Sequence, residues 1–162
     1  MIAMVATEQA RAPRPKGTPG ALSLWMQRKA NASTATKIRR KGGHMMGMDL
    51  LVLHTVGRRT GEPRENPLAW FDDGDGGRLV VASGGGSRHP GWYANLVAHP
   101  ERAAVELHGS EPVPVTPHVL DDAERARVWS RIAAEAPTID KHQRKSERQY
   151  PVVRLTPVQA GA

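Results

Sequence analysis

Short apolar segments that alternate with tight turns constrain the fold of this chain most. The segment from Leu51 to Val56 is apolar and is bounded by Gly57, so it predicts a buried strand. The sequence ENPLAWF predicts a second strand. The DDGDGG that follows predicts a tight hairpin, because Asp and Gly adopt the positive φ values that such turns need. Connections this short favour antiparallel pairing.

The rest of the chain extends this pattern. RLVVAS, AAVELHG, PVPVTPHVL and YPVVRLTPV predict further strands, and the prolines of PVPVTPHVL favour a sheet edge. DDAERARVWSRIAAEAP predicts the clearest helix, which Asp121 caps and Glu124 completes as a capping box. Short helices are predicted after the glycine-rich loop and at TIDKHQRKSERQ. The predicted fold class is mainly β (α+β), with about six antiparallel strands in a small barrel and two to four flanking helices.

The positive charge of the chain, +7 overall, is concentrated near its N-terminus. Residues 1–41 contain nine Lys or Arg residues against one acid, Glu8, whereas the remainder contains fourteen basic and fifteen acidic residues. We predict a basic arm over residues 1–44, disordered over 1–20 and then helical, and a barrel domain over residues 45–162. Such an arm can contact nucleic acid or an anionic membrane surface, or merely favour solubility.

Composition disfavours several functions. The chain has no Cys, which excludes disulfides and Cys-based metal sites or nucleophiles and is consistent with a cytoplasmic location. None of the seven His residues forms a His-x-x-x-His pair, so no metal site is predicted. No serine lies within Gly-x-Ser-x-Gly, which argues against a hydrolase. No segment is apolar over ~18 residues, so no membrane span is predicted.

The turn GRRTGEPR carries three cations, Arg58, Arg59 and Arg64. Guanidinium groups at a hairpin tip and on the returning strand can converge on one phosphate or carboxylate group. Backbone N–H groups near Gly57 and Gly61 are expected to assist them. The alternative is a solvated hairpin tip without a ligand.

The loop SGGGSRHP follows a predicted strand and leads into a short helix. Glycine allows a ligand to approach the backbone closely, and a helix N-terminus favours negative charge. The loop matches neither the Walker A motif nor the Rossmann fingerprint. It therefore predicts either an anion-binding loop of another kind or a surface loop without a ligand.

Three motifs that follow one another along the chain carry a family resemblance. They are Gly-Arg-x-Thr-Gly-x-Pro-Arg-x-Asn-Pro, the glycine-rich loop and Pro-x-Trp-Tyr-x-Asn-Leu. Their ordered combination resembles the deazaflavin (F420)-dependent nitroreductase family. This family belongs to class A of the flavin/deazaflavin oxidoreductase split β-barrel superfamily of actinobacteria. The resemblance covers roughly residues 45–157. It implies a split β-barrel that binds coenzyme F420, an 8-hydroxy-5-deazaflavin, with FMN as the less favoured cofactor.

The resemblance also implies which residues bind the coenzyme. Arg58, Arg59 and Thr60 would bind its phosphate. The returning strand would line the deazaflavin ring and the ribityl chain through Arg64, Glu65, Asn66 and Pro67. The next strand with its glycine loop, and the start of the short helix, would complete the site through Val81, Ala82, Ser83, Gly84, Gly91, Trp92, Tyr93, Ala94 and Asn95.

The reaction implied by the resemblance is hydride transfer from the reduced deazaflavin to a quinone, an enone or a nitro compound. Relatives place tyrosines before the last strand, where this chain has Ala136, Ile139 and His142. His142 is the candidate proton donor. Trp25, Ile139 and His142 are the candidate substrate-binding residues. Arg88 would replace a lysine that follows the loop serine in the family.

Other functions remain open from the sequence. The same fold could bind FMN or haem, or it could bind the coenzyme without turnover. A non-catalytic nucleic-acid module would have to bind through the basic arm alone, because the rest of the chain is nearly neutral. In the family the N-terminal helix covers the substrate pocket or contacts membrane. We expect a monomer or a homodimer, cytoplasmic or peripheral to the inner face of the cell membrane.

Overall fold

The computed structural model describes residues 21–45, 47–74, 76–84 and 88–158, with the backbone alone for residues 21–28 and 45. This part contains four α-helices, one short 3-10 helix and eight strands. The α-helices are α1 (Ala21–Lys41), α2 (Gly91–Ala98), α3 (Asp122–Glu135) and α4 (Pro137–Lys145). The strands are β1 (His44–Met45), β2 (Met48–Val56), β3 (Pro63–Ala69), β4 (Phe71–Asp72), β5 (Arg78–Val81), β6 (Ala104–Glu106), β7 (Val113–Val119) and β8 (Val152–Pro157).

The strands form one curled sheet in the order β1-β2-β6-β7-β8-β5-β4, and β3 pairs with β2 off this path. Every pairing is antiparallel. The predicted class, mainly β with flanking helices, is therefore confirmed. The two strands beyond the predicted six are β1 and β4, which have two residues each. The edge position predicted for PVPVTPHVL is wrong, because β7 pairs with β6 on one side and with β8 on the other. The predicted capping box is also present, because the Asp121 carboxylate accepts from the Glu124 N–H and the Glu124 carboxylate accepts from the Asp121 N–H.

The two faces of β2 pack against different layers. Leu51 and Leu53 are fully buried in the main core inside the curled sheet, which also contains Trp92, Val105 and Leu155. Successive residues of a strand point to opposite faces, so Val52 points outward. It packs there against Ala35 and Ile38 of α1. Burial on both faces explains why this strand is apolar at successive positions. A second core lies beneath α3 and includes Phe71, Leu79 and Ile132.

The last turns of α1 are held to the sheet by an ion-pair cluster. The guanidinium of Arg39 donates to the Glu106 carboxylate and to Glu65 Oε1, the latter at 2.9 Å. His54 Nε2 lies 2.8 Å from Glu106 Oε1. Glu106 is only 7% exposed. The hydrogen bonds from Arg39 and then His54 lower the pKa of this carboxyl, whereas its burial opposes the shift. Glu106 is therefore a buried carboxylate that stays ionised because α1 is docked.

The helix predicted over residues 21–41 forms, but it does not lie apart from the barrel. Ala35 and Ile38 belong to a shared core with β2, so a boundary at residue 44 separates residues that pack together. Residues 1–20, predicted to be disordered, lie outside the described residues. In the described part, no helix has the length and apolar character needed to cross a bilayer.

We expect Arg39→Met to lower the free energy of unfolding by about 2 kcal/mol, because it leaves the buried Glu106 carboxylate without its main partner. The value is below that for a fully buried pair because the Arg39 side chain is 37% exposed. Urea unfolding at pH 7 measures it. Arg40→Met, one residue further on the exposed side of α1, is the matched control.

The same pair predicts a pH dependence. The folded-state pKa of Glu106 is lowered from its ordinary value of 4.5, so its stabilisation is present above that pH and is lost as the pH falls below it. The stability difference between wild type and Arg39→Met should therefore shrink in acid. Equal effects of the Arg39 and Arg40 substitutions at pH 7 would contradict this role for the cluster.

Candidate functional site

The arginine turn, residues 57–62, leads from the end of β2 into β3. Its backbone is closed by two hydrogen bonds of 2.8 Å, from the Gly57 N–H to the Glu62 carbonyl and from the Gly61 N–H to the Gly57 carbonyl. The N–H groups of the two glycines are therefore not available to an anion, and the predicted assistance from backbone N–H groups near them would fall to neighbouring residues. A Cβ on Gly57 would lie 2.6 Å from Thr60 Oγ1, so a larger residue there would displace the hydroxyl that accepts from the Glu62 N–H. Gly61 has a φ of 69°, which favours glycine.

The cations of the turn differ in their surroundings. Arg58 and Arg59 are exposed, and within the described ranges neither forms an ion pair with a carboxylate. Arg64 is half-buried, and its Nη1 donates to Glu62 Oε2 at 3.4 Å and to the Pro63 carbonyl at 3.2 Å. The turn thus presents two guanidinium groups that an external anion can pair with, next to a third that is partly neutralised.

Helix α2 holds the turn in place. The Arg58 N–H donates to Asn95 Oδ1 at 3.0 Å. On the other side of the same residue, His99 Nε2 lies 3.4 Å from the Arg58 carbonyl oxygen. Asn95, predicted to contact the coenzyme, therefore uses its amide oxygen to position the arginine turn. These bonds place the cations of the turn beside α2.

The start of α2 is open to a ligand. Its N-cap residue, Pro90, provides no side-chain hydrogen bond to the first turn. The first N–H groups of a helix have no partner within the helix and carry partial positive charge. A Cβ on Gly91 would meet no atom within 4 Å, so the backbone is accessible there. Trp92 is only 6% exposed and lies in the main core, so its ring anchors α2.

Arg148 organises the segment that follows β5, and the sequence did not single it out. Its guanidinium donates to three successive carbonyl groups, those of Ala82 at 3.0 Å, Ser83 at 3.1 Å and Gly84 at 2.8 Å. The same guanidinium lies over the Tyr150 ring, 4.7 Å from its centroid. These contacts fix the backbone that leads into the glycine-rich loop. The partners lie more than sixty residues before Arg148, and no local motif signals such a contact.

His89 links this segment to α2. Its Nδ1 lies 3.2 Å from Arg148 Nη1, and its ring centroid lies 4.9 Å from that of Tyr93. Because a guanidinium only donates, Nδ1 accepts and the neutral imidazole carries its proton on Nε2. Partial burial and then the charge of Arg148 lower the pKa of His89. His89 is therefore mainly neutral at pH 7.

The alternation of β3 separates residues predicted to share the coenzyme site. Arg64 and Asn66 pair with Thr55 and Leu53, on the inner face of the sheet. Glu65 points to the opposite face, where its carboxylate pairs with Arg39 of α1. Pro67 shares that outer face and pairs with Val52. The side chains of Arg64 and Asn66 therefore lie on the inner face of the sheet, where the coenzyme was predicted to bind. Those of Glu65 and Pro67 lie on the outer face, away from the predicted site.

An orphaned polar atom lies on the same inner face. Thr55 is 4% exposed, and its Oγ1 has no hydrogen-bond partner within the described part of the chain. It is paired in register with Arg64, directly below the arginine turn. A buried hydroxyl gains free energy from any partner that reaches it. A polar ligand or a water molecule next to Arg64 would supply that partner.

The remaining predicted residues lie around α4. Ile139 is half-buried against the second core, and His142 is exposed. The neighbouring Gln143 accepts from the Tyr150 N–H at 2.7 Å and donates to the Arg148 carbonyl at 3.0 Å, so α4 supports the segment that carries Arg148. The side chain of Trp25 lies outside the described residues. Over the described ranges, no group of three or more His, Asp or Glu residues could hold a metal ion.

A family sequence model described as F420H(2)-dependent quinone reductase matches residues 25–157. An F420H(2)-dependent quinone reductase of Mycobacterium tuberculosis is 37% identical over 110 residues, which are 65% of this chain and 72% of that protein.

Two solved structures are also similar to this chain. An F420-H2 dependent reductase (FDR-A) is 29% identical, with a TM-score of 0.56, over 65% of this chain and 92% of its own. A domain-swapped dimer is 26% identical, with a TM-score of 0.58, over 83% of this chain and 99% of its own. The resemblance drawn from the motifs is confirmed, as is the split β-barrel. The chain belongs to the F420H(2)-dependent quinone reductase family.

Proposed function

We propose that this protein transfers a hydride from reduced coenzyme F420 to a quinone, with enones and nitro compounds as related acceptors. The observation that supports this most is the arginine turn. Arg58 and Arg59 are exposed without a carboxylate partner in the described part, and Asn95, one helical turn after Gly91, ties the Arg58 N–H to α2. Two exposed cations held against a helix with an uncapped first turn suit a phosphate. Family membership supplies the reaction type.

The residues of the site fit such a coenzyme, each in a stated role. Arg58, Arg59 and Thr60 would hold the phosphate. Arg64, Asn66 and the Thr55 hydroxyl would face the polar ribityl chain from the inner side of β3 and β2. Glu65 and Pro67, on the outer face of β3, would contribute indirectly by docking α1 against the sheet. Val81, Ala82, Ser83 and Gly84, together with Gly91, Trp92, Tyr93, Ala94 and Asn95, would form the opposite wall.

When bound, the coenzyme supplies the hydride from C5 of its reduced ring. The protein's task is then to orient that ring and to exclude water. Arg148 holds the carbonyl groups of residues 82–84 in one arrangement, which fixes one wall of the site. Trp92 anchors the other wall in the core. Both walls are thus positioned before the coenzyme binds, which lowers the entropic cost of ordering it.

Three predictions concern the surroundings of the protein and not its fold. Contact of residues 1–41 with a membrane surface, a cytoplasmic location and a monomeric or homodimeric state stay predictions. A lipid-soluble quinone would make a membrane contact useful. Residues 35 and 38 belong to the folded core, so any test of the arm should delete residues 1–20 alone.

We expect coenzyme F420 to bind saturably and Arg59→Ala to weaken its affinity about tenfold, which is the loss of one charge-assisted contact at an exposed site. Titration followed by coenzyme fluorescence at low salt measures both. Arg127→Ala, an exposed arginine on α3, is the matched control. Failure of the folded wild type to bind F420, with saturable binding of FMN instead, would contradict the proposal.

The reduced acceptor also needs a proton, for which we consider two histidines. His142 is the donor predicted from the family pattern, and His89 lies between Arg148 and Tyr93 at the site. A histidine acid donates from its protonated form, and the pKa of His89 is lowered from its ordinary value of 6.5. If His89 is the donor, kcat with menadione should rise as the pH falls below 6.5.

That acid limb should vanish in His89→Gln and persist in His142→Gln, with the affinity for F420 unchanged in both. The reverse pattern would assign the proton to His142. An acid limb that survives in both variants would exclude both residues as the donor.

A further inference from the structure

A cavity separate from the coenzyme site lies at the end of the barrel opposite the arginine turn. Strand β2 runs toward the turn, and β6 runs antiparallel to it, so β6 ends far from the turn. The starts of β5 and β7 and the end of β8 lie at the same far end, because Arg78 pairs with Leu155 and Val113 pairs with Val105. We call this opening the distal mouth. It encloses a cavity of about 180 Å³ lined by Arg78, Val105, Leu107, Ser110, Glu111, Val113, Val115 and Pro157.

Two buried donors at the distal mouth have no partner. Arg78 Nε and Trp70 Nε1 are both inaccessible to water, and neither has a hydrogen-bond partner within the described part. The Arg78 guanidinium lies over the Trp70 ring, 5.0 Å from its centroid. Neither group can accept a hydrogen bond, so the two cannot satisfy each other. Because these two atoms are inaccessible, a ligand in the cavity would reach the Arg78 guanidinium through its terminal nitrogens, with the Trp70 ring behind that group.

The charge of Arg78 is also uncompensated. Glu111 lines the same cavity and Asp72 lines the adjoining cleft, but within the described ranges neither forms an ion pair with Arg78. The other walls are mainly Val, Leu and Pro side chains. A cation in apolar surroundings is costly unless an anion pairs with it. A ligand that combines a carboxylate with an apolar body would match both the charge and the walls.

We propose that the distal mouth binds a small monocarboxylate with an apolar body, its carboxylate on the Arg78 guanidinium and its body against Val105, Leu107 and Val115. The size fits, since an apolar cavity of ~150 Å³ holds a benzene molecule. A guanidinium donates to carboxylate oxygens, and the Trp70 ring beneath it reports on that contact. This site lies at the end of the barrel away from the arginine turn, so it does not depend on the proposed function.

Benzoate is the probe, and the indole N–H resonance of Trp70 is the readout. In ¹⁵N-labelled full-length protein, Trp70→Phe identifies that resonance. We expect benzoate to shift it saturably, while the indole N–H of Trp129, bonded to Asp140, stays in place. Benzyl alcohol, which matches the size but not the charge, should bind at least tenfold more weakly. Arg78→Gln should abolish the saturable shift, and Arg127→Gln should not.

A second variant covers the case in which Arg78→Gln fails to fold. Val113 is 43% exposed at the rim, so Val113→Asp should fold and repel benzoate, with a loss in affinity of at least tenfold. The proposal is overturned if benzoate produces no saturable shift, if benzyl alcohol binds equally well, or if a folded Arg78→Gln or Val113→Asp variant binds benzoate as wild type does.

Discussion

The hydrogen bond between the Arg58 N–H and Asn95 Oδ1 joins the two parts of the chain on which the coenzyme site depends. One part is the arginine turn, which supplies cations. The other is α2, whose first turn supplies free N–H groups and an accessible backbone at Gly91. Neither part is a strong anion site alone, since exposed arginines and helix termini are common. Because Asn95 lies one helical turn after Gly91, this bond holds the arginine turn against the helix whose first turn is uncapped.

Arg148 likewise holds together two parts of the chain that are distant in sequence. This residue follows α4 and holds the carbonyl groups at the end of β5, while Gln143 holds Arg148 in turn. The wall opposite the arginine turn is therefore ordered by the C-terminal part of the chain. On the outer face, Arg39 docks α1 through Glu65 and Glu106. Two arginines whose partners are distant in sequence, Arg148 and Arg39, thus support the elements that carry the site.

This distance explains what the sequence can and cannot predict. The strands, the hairpin at residues 72–77 and the Asp121 capping box follow from local rules of alternation, turn residues and capping. The clustering of arginines at and next to the turn can be predicted from their spacing in the sequence. Arg148 is invisible locally because its partner Ala82 lies 66 residues away. Backbone N–H groups near Gly57 and Gly61 were predicted to assist anion binding, and only the closed geometry of the turn shows that the N–H groups of the two glycines themselves are bonded.

If the coenzyme lies between the arginine turn and the start of α2, it should protect the backbone of both segments. Hydrogen–deuterium exchange of the full chain, with and without saturating F420, tests this most directly. We expect slower exchange in peptides over residues 57–66 and 88–95, with no change over residues 107–113 at the distal mouth. Protection confined to residues 107–113, or no protection at saturating coenzyme, would contradict it.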